Sequence, residues 1–269
     1  MRTAIVGFDS AWTDRPGISG AVCVLQCEGS KVVQITGPEL STFEHALHII
    51  ESEASAADRC LVAIDQPTIV PNLTGARPVD RVAGSLISWL GGGVQPASRA
   101  RIGMFDDGAP IWRFKARLTA NDDPEAARIA VAGRHLIEVF PALALPSLAP
   151  AYCGRLLGPR YNPGRRRTFR LEHWHGVLEC LVEQALANHV PELVEPLHSL
   201  GNHPAPKKSH QDMLDSVICA LVGYLWMFDE RDRMLVLGDL DTGYIVTPAA
   251  GEARVRLLTA AGSRSVWAA

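Results

Sequence analysis

The chain reads as an α/β protein on a mixed five-stranded sheet, and three observations lead there. Short runs rich in Val and Ile come first in succession, at residues 3–8, 18–27 and 31–36, with Pro16-Gly17 and Glu28-Gly29-Ser30 between them. Later apolar runs are separated by segments of helical period. Two runs end in an acid: Thr3-Ala4-Ile5-Val6-Gly7-Phe8 in Asp9, and Leu61-Val62-Ala63-Ile64 in Asp65.

Each element has its own signal. The break at residues 28–30 is short enough for a hairpin. Residues 42–55 follow the N-cap candidates Ser41 and Thr42 and space Phe43, Ala46, Leu47 and Ile50 as one helical face. Residues 60–64 form a buried strand, and a Pro/Gly-bearing loop then leads to a helix near 78–90 that stops at Gly91-Gly92-Gly93. Residues 96–125 read as irregular, within an insertion spanning about 91–134. His135 to Phe140 form a fifth strand, halted by Pro141. A helix near 168–189, a Pro/His/Gly-rich linker at 191–206 and a long helix at 209–229 follow. The tail, about 232–269, reads as a β extension with strands at 234–237, 244–247 and 253–258. All this fits one domain over residues 1–269.

The fourth and fifth strands each follow a helical crossover, so they are expected to run parallel to the first. Ligands of open α/β sheets sit beyond the carboxyl ends of such strands. Asp9, Asp65 and Glu138 all fall at those ends.

Composition narrows the function classes. The 269 residues are 47% apolar and 20% charged, ample for a sizeable core and unlike a disordered chain. A net charge of −3 excludes a general nucleic-acid coat, so any polyanion must be met by a local patch. Cys23, Cys27, Cys60, Cys153, Cys180 and Cys219 form no CxxC pair and read as reduced core residues. The longest hydrophobic stretch, Ser216 to Phe228, is shorter than the ~20 residues of a membrane span. With no secretory pattern after Arg2, a soluble, cytoplasmic protein with no membrane partner is expected.

Asp212 and Asp215 lie three apart at the start of the last long helix, so both carboxylates share a face. Acids at a helix start also favour the helix dipole, and Asp9 and Asp65 are each plausible turn formers. Four such acids at one sheet edge point instead to a site for Mg²⁺ or Mn²⁺, which take oxygen ligands. Two such ions ~3.5–4 Å apart clamp a phosphoryl displacement, one activating water and the other stabilising the leaving oxygen. Glu138 is a fifth candidate.

Cationic residues supply candidate phosphate contacts. Arg77 and Arg81 lie just after Asp65, with Asp80 between to orient one of them; an exposed ion pair at a helix start is the alternative. Arg155, Arg160, Arg165, Arg166, Arg167 and Arg170 occur with no acid among them, beside Tyr161 and Phe169 as stacking faces. Lys207, Lys208 and His210 precede the acid pair. His173-Trp174-His175 has the wrong spacing for a zinc pair on a helix, and no P-loop or dinucleotide fingerprint is present.

Gly7-Phe8-Asp9, Ala63-Ile64-Asp65-Gln66-Pro67 and Asp212-Met213-Leu214-Asp215-Ser216 resemble the acidic signature of the ribonuclease H-like superfold, in the motif order of RuvC-type Holliday-junction resolvases. Arg77-Pro78-Val79-Asp80-Arg81, Glu138-Val139-Phe140-Pro141, Gly164-Arg165-Arg166-Arg167 and Gly243-Tyr244-Ile245-Val246 resemble motifs of family 429 of domains of unknown function, predicted RNase H-like nucleases. The resemblance implies metal-dependent hydrolysis of DNA or RNA phosphodiesters, with Asp9, Asp65 and Asp212 or Asp215 as ligands. It departs from the resolvases at Asp65, where a longer Glu is common. Two-site cutting would suit a homodimer. The competing expectations are a catalytically silent binding module and an actin-like or sugar-kinase-type phosphotransferase. The kinase class needs a glycine-bearing turn where this chain has Asp9-Ser10-Ala11-Trp12.

Overall fold

A computed structural model describes residues 1–13 and 20–269. The Pro16-Gly17 break and the expected first two residues of the second strand lie outside the described residues.

The main sheet has five strands in the order β3-β2-β1-β4-β5. They are β1 (Arg2–Asp9), β2 (Gly20–Glu28), β3 (Lys31–Ser41), β4 (Arg59–Ile64) and β5 (Gly133–Glu138). The first three are antiparallel neighbours, and β1, β4 and β5 run parallel, as expected. All of β4 is buried, which accounts for its unbroken apolar run: a central strand needs apolar side chains on both faces. The third strand runs five residues beyond the expected 31–36, past Gly37-Pro38 to Ser41. Proline is tolerated there because β3 is an edge strand, where a missing N–H need not break a ladder.

Two helical layers cover the sheet. On one face Phe8, Val62 and Ile64 pack against Phe43 of α1 (Phe43–Ala56) and Phe114 of α3 (Pro110–Leu118). Phe8 lies 5.4 Å from Phe43 and 5.6 Å from Phe114, centroid to centroid. The other face, with Ile5, Leu61, Ala63 and Ile137, carries α8 (Lys208–Phe228), flanked by α6 (Leu171–Ala187) and α7 (Val194–Gly201). A third apolar cluster joins α2 (Pro78–Trp89) to α9 (Gly251–Gly262) and the two-stranded sheet of β6 (Met234–Asp239) and β7 (Gly243–Pro248). Among the described residues no helix is long and apolar enough to cross a membrane.

Several expectations need correction. Residues 253–258 are helical: Ala253, Leu257, Ala260 and Ala261 are the buried set of α9, a spacing of three and four that a strand cannot use. The stretch read as irregular holds α3 and α4 (Pro124–Ile129), each opening with a proline that suits the first helical position. The fifth strand runs Gly133–Glu138, ending two residues before the expected Phe140, and Pro141 starts α5 (Pro141–Leu148), whose near-uniform apolarity leaves no helical period to detect. The 191–206 linker contains α7.

Candidate active site

Strand pleating decides which acids meet. Phe8 pairs with Ile64, so Asp9 and Asp65 are the next residues along on two adjacent parallel strands. Alternation turns both side chains away from the Phe8 and Ile64 face, toward α8. The helix reaches them because Gly7 has no side chain: a Cβ there would overlap Ala220 N and Ser216 O. Gly223 repeats the device one turn on, where a Cβ would lie 2.9 Å from Ile5 Cγ2 and 3.2 Å from Ala63 Cβ. The first turns of α8 thereby carry Asp212 and Asp215 to the sheet edge.

Asp9, Asp212 and Asp215 are 6%, 8% and 4% exposed, and Asp65 is only partly covered at the surface. All four line one cleft of about 660 Å³. Burial raises the Asp9 carboxyl well above its ordinary range, and repulsion from Asp215, Asp65 and Asp212 adds to it. Asp65 is raised in the same way, by depth and then by Asp215. Asp215 rises to about 7, chiefly through burial, although Lys208, Tyr161 and Gln211 each pull it down. Tyr161 Oη donates to Asp215 Oδ1 at 2.9 Å, and Gln211 Nε2 donates to Asp215 Oδ2. Lys208, its side chain still half exposed, donates to Asp212 Oδ1.

This donor set suits a hard divalent cation: oxygen ligands only, and more negative charge than Lys208 offsets. Gln211 Oε1 is also buried without a hydrogen-bond partner. Among the described residues no three His, Cys, Asp or Glu side chains stand as a preformed ion-binding group. The acids therefore fit such an ion in the chemistry of their donors, while their side chains as placed do not enclose one.

Glu138 is one residue short of the acid register. It pairs with Ile64, not Asp65, so its side chain leaves the sheet on the side away from α8. There it meets Arg77, which is 1% exposed. Arg77 Nη1 and Nη2 donate to the two Glu138 oxygens at 2.8 and 2.6 Å, and Nε and Nη2 donate to Asp80 Oδ1 at 3.1 and 2.8 Å. Burial alone would lower the Arg77 guanidinium, but Glu138 and Asp80 together hold it firmly protonated. Asp80 Oδ2 also accepts from Arg77 N and Ala97 N, and Thr68 N donates to Glu138 Oε2 at 3.1 Å. The exposed ion pair weighed for Arg77 does not describe this: it is a buried clamp joining β5, α2 and the loop after Asp65, and Arg77, Asp80 and Glu138 also line the cleft. Gly243 packs beneath it, where a Cβ would lie 2.8 Å from Arg77 Nη1.

Among the other cations, Arg160, Arg165 and Lys208 line the cleft. Arg81, Arg166 and Arg167 are exposed outside its lining. Two contributors escaped the sequence reading, and Tyr161, expected as a stacking face, is 8% exposed and donates to Asp215 instead. Gly7 had a signal, since glycine inside a strand often marks a close backbone approach. Gln211 stands one helical turn before Asp215. The hydrogen bond from Tyr161, fifty-four positions away, left no local trace.

The molecule is thus an α/β protein with an acidic cleft at the carboxyl edge of its parallel strands. The family model described as "Protein of unknown function (DUF429)" matches residues 7–239, and the chain belongs to that family. No curated protein and no solved structure matched the chain.

Proposed function

We propose that the protein is a Mg²⁺- or Mn²⁺-dependent phosphodiesterase acting on nucleic acid. One observation carries the reading: Asp9, Asp65 and Asp215, from two strands and a helix distant in sequence, converge in one cleft, where burial and the Asp215 charge raise the proton affinity of Asp9 and Asp65. Uncompensated buried carboxylates are costly, and a protein maintains such a cluster at a functional site. The strand order β3-β2-β1-β4-β5 and the acid positions agree with the ribonuclease H-like resemblance of the motifs.

Asp9, Asp65 and Asp215 would hold the ions, with Asp212 beside them. When bound, such ions activate water and stabilise the leaving oxygen of a phosphodiester. Tyr161 and Gln211 orient Asp215, and Arg77 binds Glu138 at the wall of the same cleft, close enough for the Glu138 charge to raise Asp65. Arg160 and Arg165 stand at the cleft to receive phosphate. A homodimer would pair two such sites for two-site cutting.

The test is a calorimetric Mn²⁺ titration of wild type and Asp9→Asn, run beside cleavage assays on DNA and RNA. Millimolar-or-tighter binding and cleavage, both lost in Asp9→Asn, are expected. A wild type that binds no Mn²⁺ sinks the proposal. Binding without cleavage of any nucleic acid sinks its catalytic half.

A further inference from the structure

We infer that Trp12 is a stacking platform for one unpaired base, so that the cleft takes a single nucleotide unit and not a paired duplex. The inference rests on the phosphodiesterase reading for where the phosphate sits, but not for how the base is held.

Trp12 lies three residues beyond Asp9, with φ +56°. That left-handed conformation is unfavourable for a bulky residue and persists only where surrounding contacts enforce it. Two contacts do so. The indole Nε1–H donates to the Asp65 carbonyl at 2.9 Å, and the ring meets Phe105 edge-on at 5.4 Å. Next to it, Ser10 Oγ donates to Gln66 Oε1 at 2.6 Å. The ring is therefore tied to the strand end that carries the second acid.

Trp174 and Trp226 lie wholly in the core, both 0% exposed, whereas Trp12 packs at the edge of the Val70, Ala97 and Phe105 cluster together with the partly exposed Trp112. Trp12 stays partly exposed and lines the cleft with Asp9 and Asp65. Phe140, also partly exposed, lines it too. Stacking on a fixed aromatic face is how proteins hold unpaired bases without reading their sequence.

Access argues the same way. A cleft of about 660 Å³ is of small-molecule size, and Asp9 and Asp215 lie almost wholly below its surface. A paired duplex keeps its bases stacked inside a wide, rigid cylinder. An unpaired nucleotide can leave the stack and bring its phosphate down to the acids. Arg160, Arg165 and Lys208 line the cleft to meet that phosphate.

The experiment measures fluorescence anisotropy of a labelled oligo-dT strand, alone and annealed to oligo-dA, in Ca²⁺ buffer, with wild type, Trp12→Leu and Trp12→Phe. The single strand should bind wild type at least about tenfold more tightly than the duplex, and Trp12→Leu should lose about tenfold. Trp12→Phe should keep most of the affinity. Equal affinity for duplex, or a Trp12→Leu protein that melts and binds like wild type, overturns the inference. If Trp12→Leu does not fold, tryptophan emission decides: strand binding should quench wild type more than Trp12→Phe, and equal quenching overturns the inference. Displacement by thymidine monophosphate at strand-like concentrations assigns the cleft to free nucleotides; resistance to it assigns the cleft to strand segments. Either result supports the nucleotide unit. Binding is read without cleavage, so Trp12-dependent binding with no cutting defeats the phosphodiesterase reading and leaves this one standing. Duplex cutting indifferent to Trp12 does the reverse.

Discussion

Gly7 and Ala220 stand so close that no side chain fits between them: a Cβ on Gly7 would lie 2.8 Å from Ala220 Cα and nearer still to Ala220 N. Both obstructing groups are backbone, so the neighbour cannot rotate aside. Gly7→Ala should destabilise the fold by about 1–3 kcal/mol, the usual penalty for overpacking. It should also weaken Mn²⁺ binding, because α8 carries Asp212 and Asp215. Urea unfolding and calorimetry check the two effects; a destabilised variant with unchanged Mn²⁺ affinity would uncouple α8 position from the site.

The Arg77 clamp predicts a larger loss. Arg77→Met leaves Glu138 and Asp80 buried without their cation, which should cost about 3–5 kcal/mol. Adding Glu138→Gln should restore part of that, since one stranded charge is removed. The urea midpoints of the single and double variants measure the coupling. A double variant no more stable than Arg77→Met would mean that packing, not charge, sets the loss.

Asp215 gives the metal-free protein a pH signature. Its folded pKa of about 7 lies above its ordinary 3.8, so the native state holds the proton more tightly than the unfolded chain. That contribution to stability is fully present below about pH 3.8 and is lost as pH rises through about 7. Asp215→Asn should therefore raise the metal-free melting temperature more at pH 8 than at pH 5. Mn²⁺ should raise the wild-type melting temperature at pH 8 and do little for the variant. Scanning calorimetry with and without chelator tests both; a variant gain independent of pH would refute the assignment.

Lys208 is the cation that offsets Asp9, Asp65 and Asp215. Lys208→Met should lower the metal-free melting temperature and tighten Mn²⁺ binding severalfold, because a competing positive charge is gone. Calorimetric titration decides the second point, and weaker binding would show that Lys208 supports the ion instead of competing with it.

The sheet was legible because its apolar runs, crossovers and strand-end acids are local signals that agree with one another. Asp9 and Asp65 could be placed side by side for the same reason. Glu138 looked equivalent to them because ending a strand is a matter of sequence position, whereas the face a side chain takes depends on register across β4, which no local pattern carries. Arg77 was hidden more deeply: its partners lie three and sixty-one positions away, and only the assembled fold shows that its charge is enclosed. The helical nature of α9 was obscured by Val255, an exposed residue that with Ala253 and Leu257, and with Arg254 and Arg256 between them, imitates a strand's alternation.

The single-residue offset between Asp65 and Glu138 makes the site a matter of odd and even. Deleting one residue inside β5 would turn Glu138 toward the acids and strand Arg77. Connections that hold no part of the clamp can change length, but β1, β4 and β5 must keep their parity. Insertions among relatives of this chain are therefore expected between these strands and not within them.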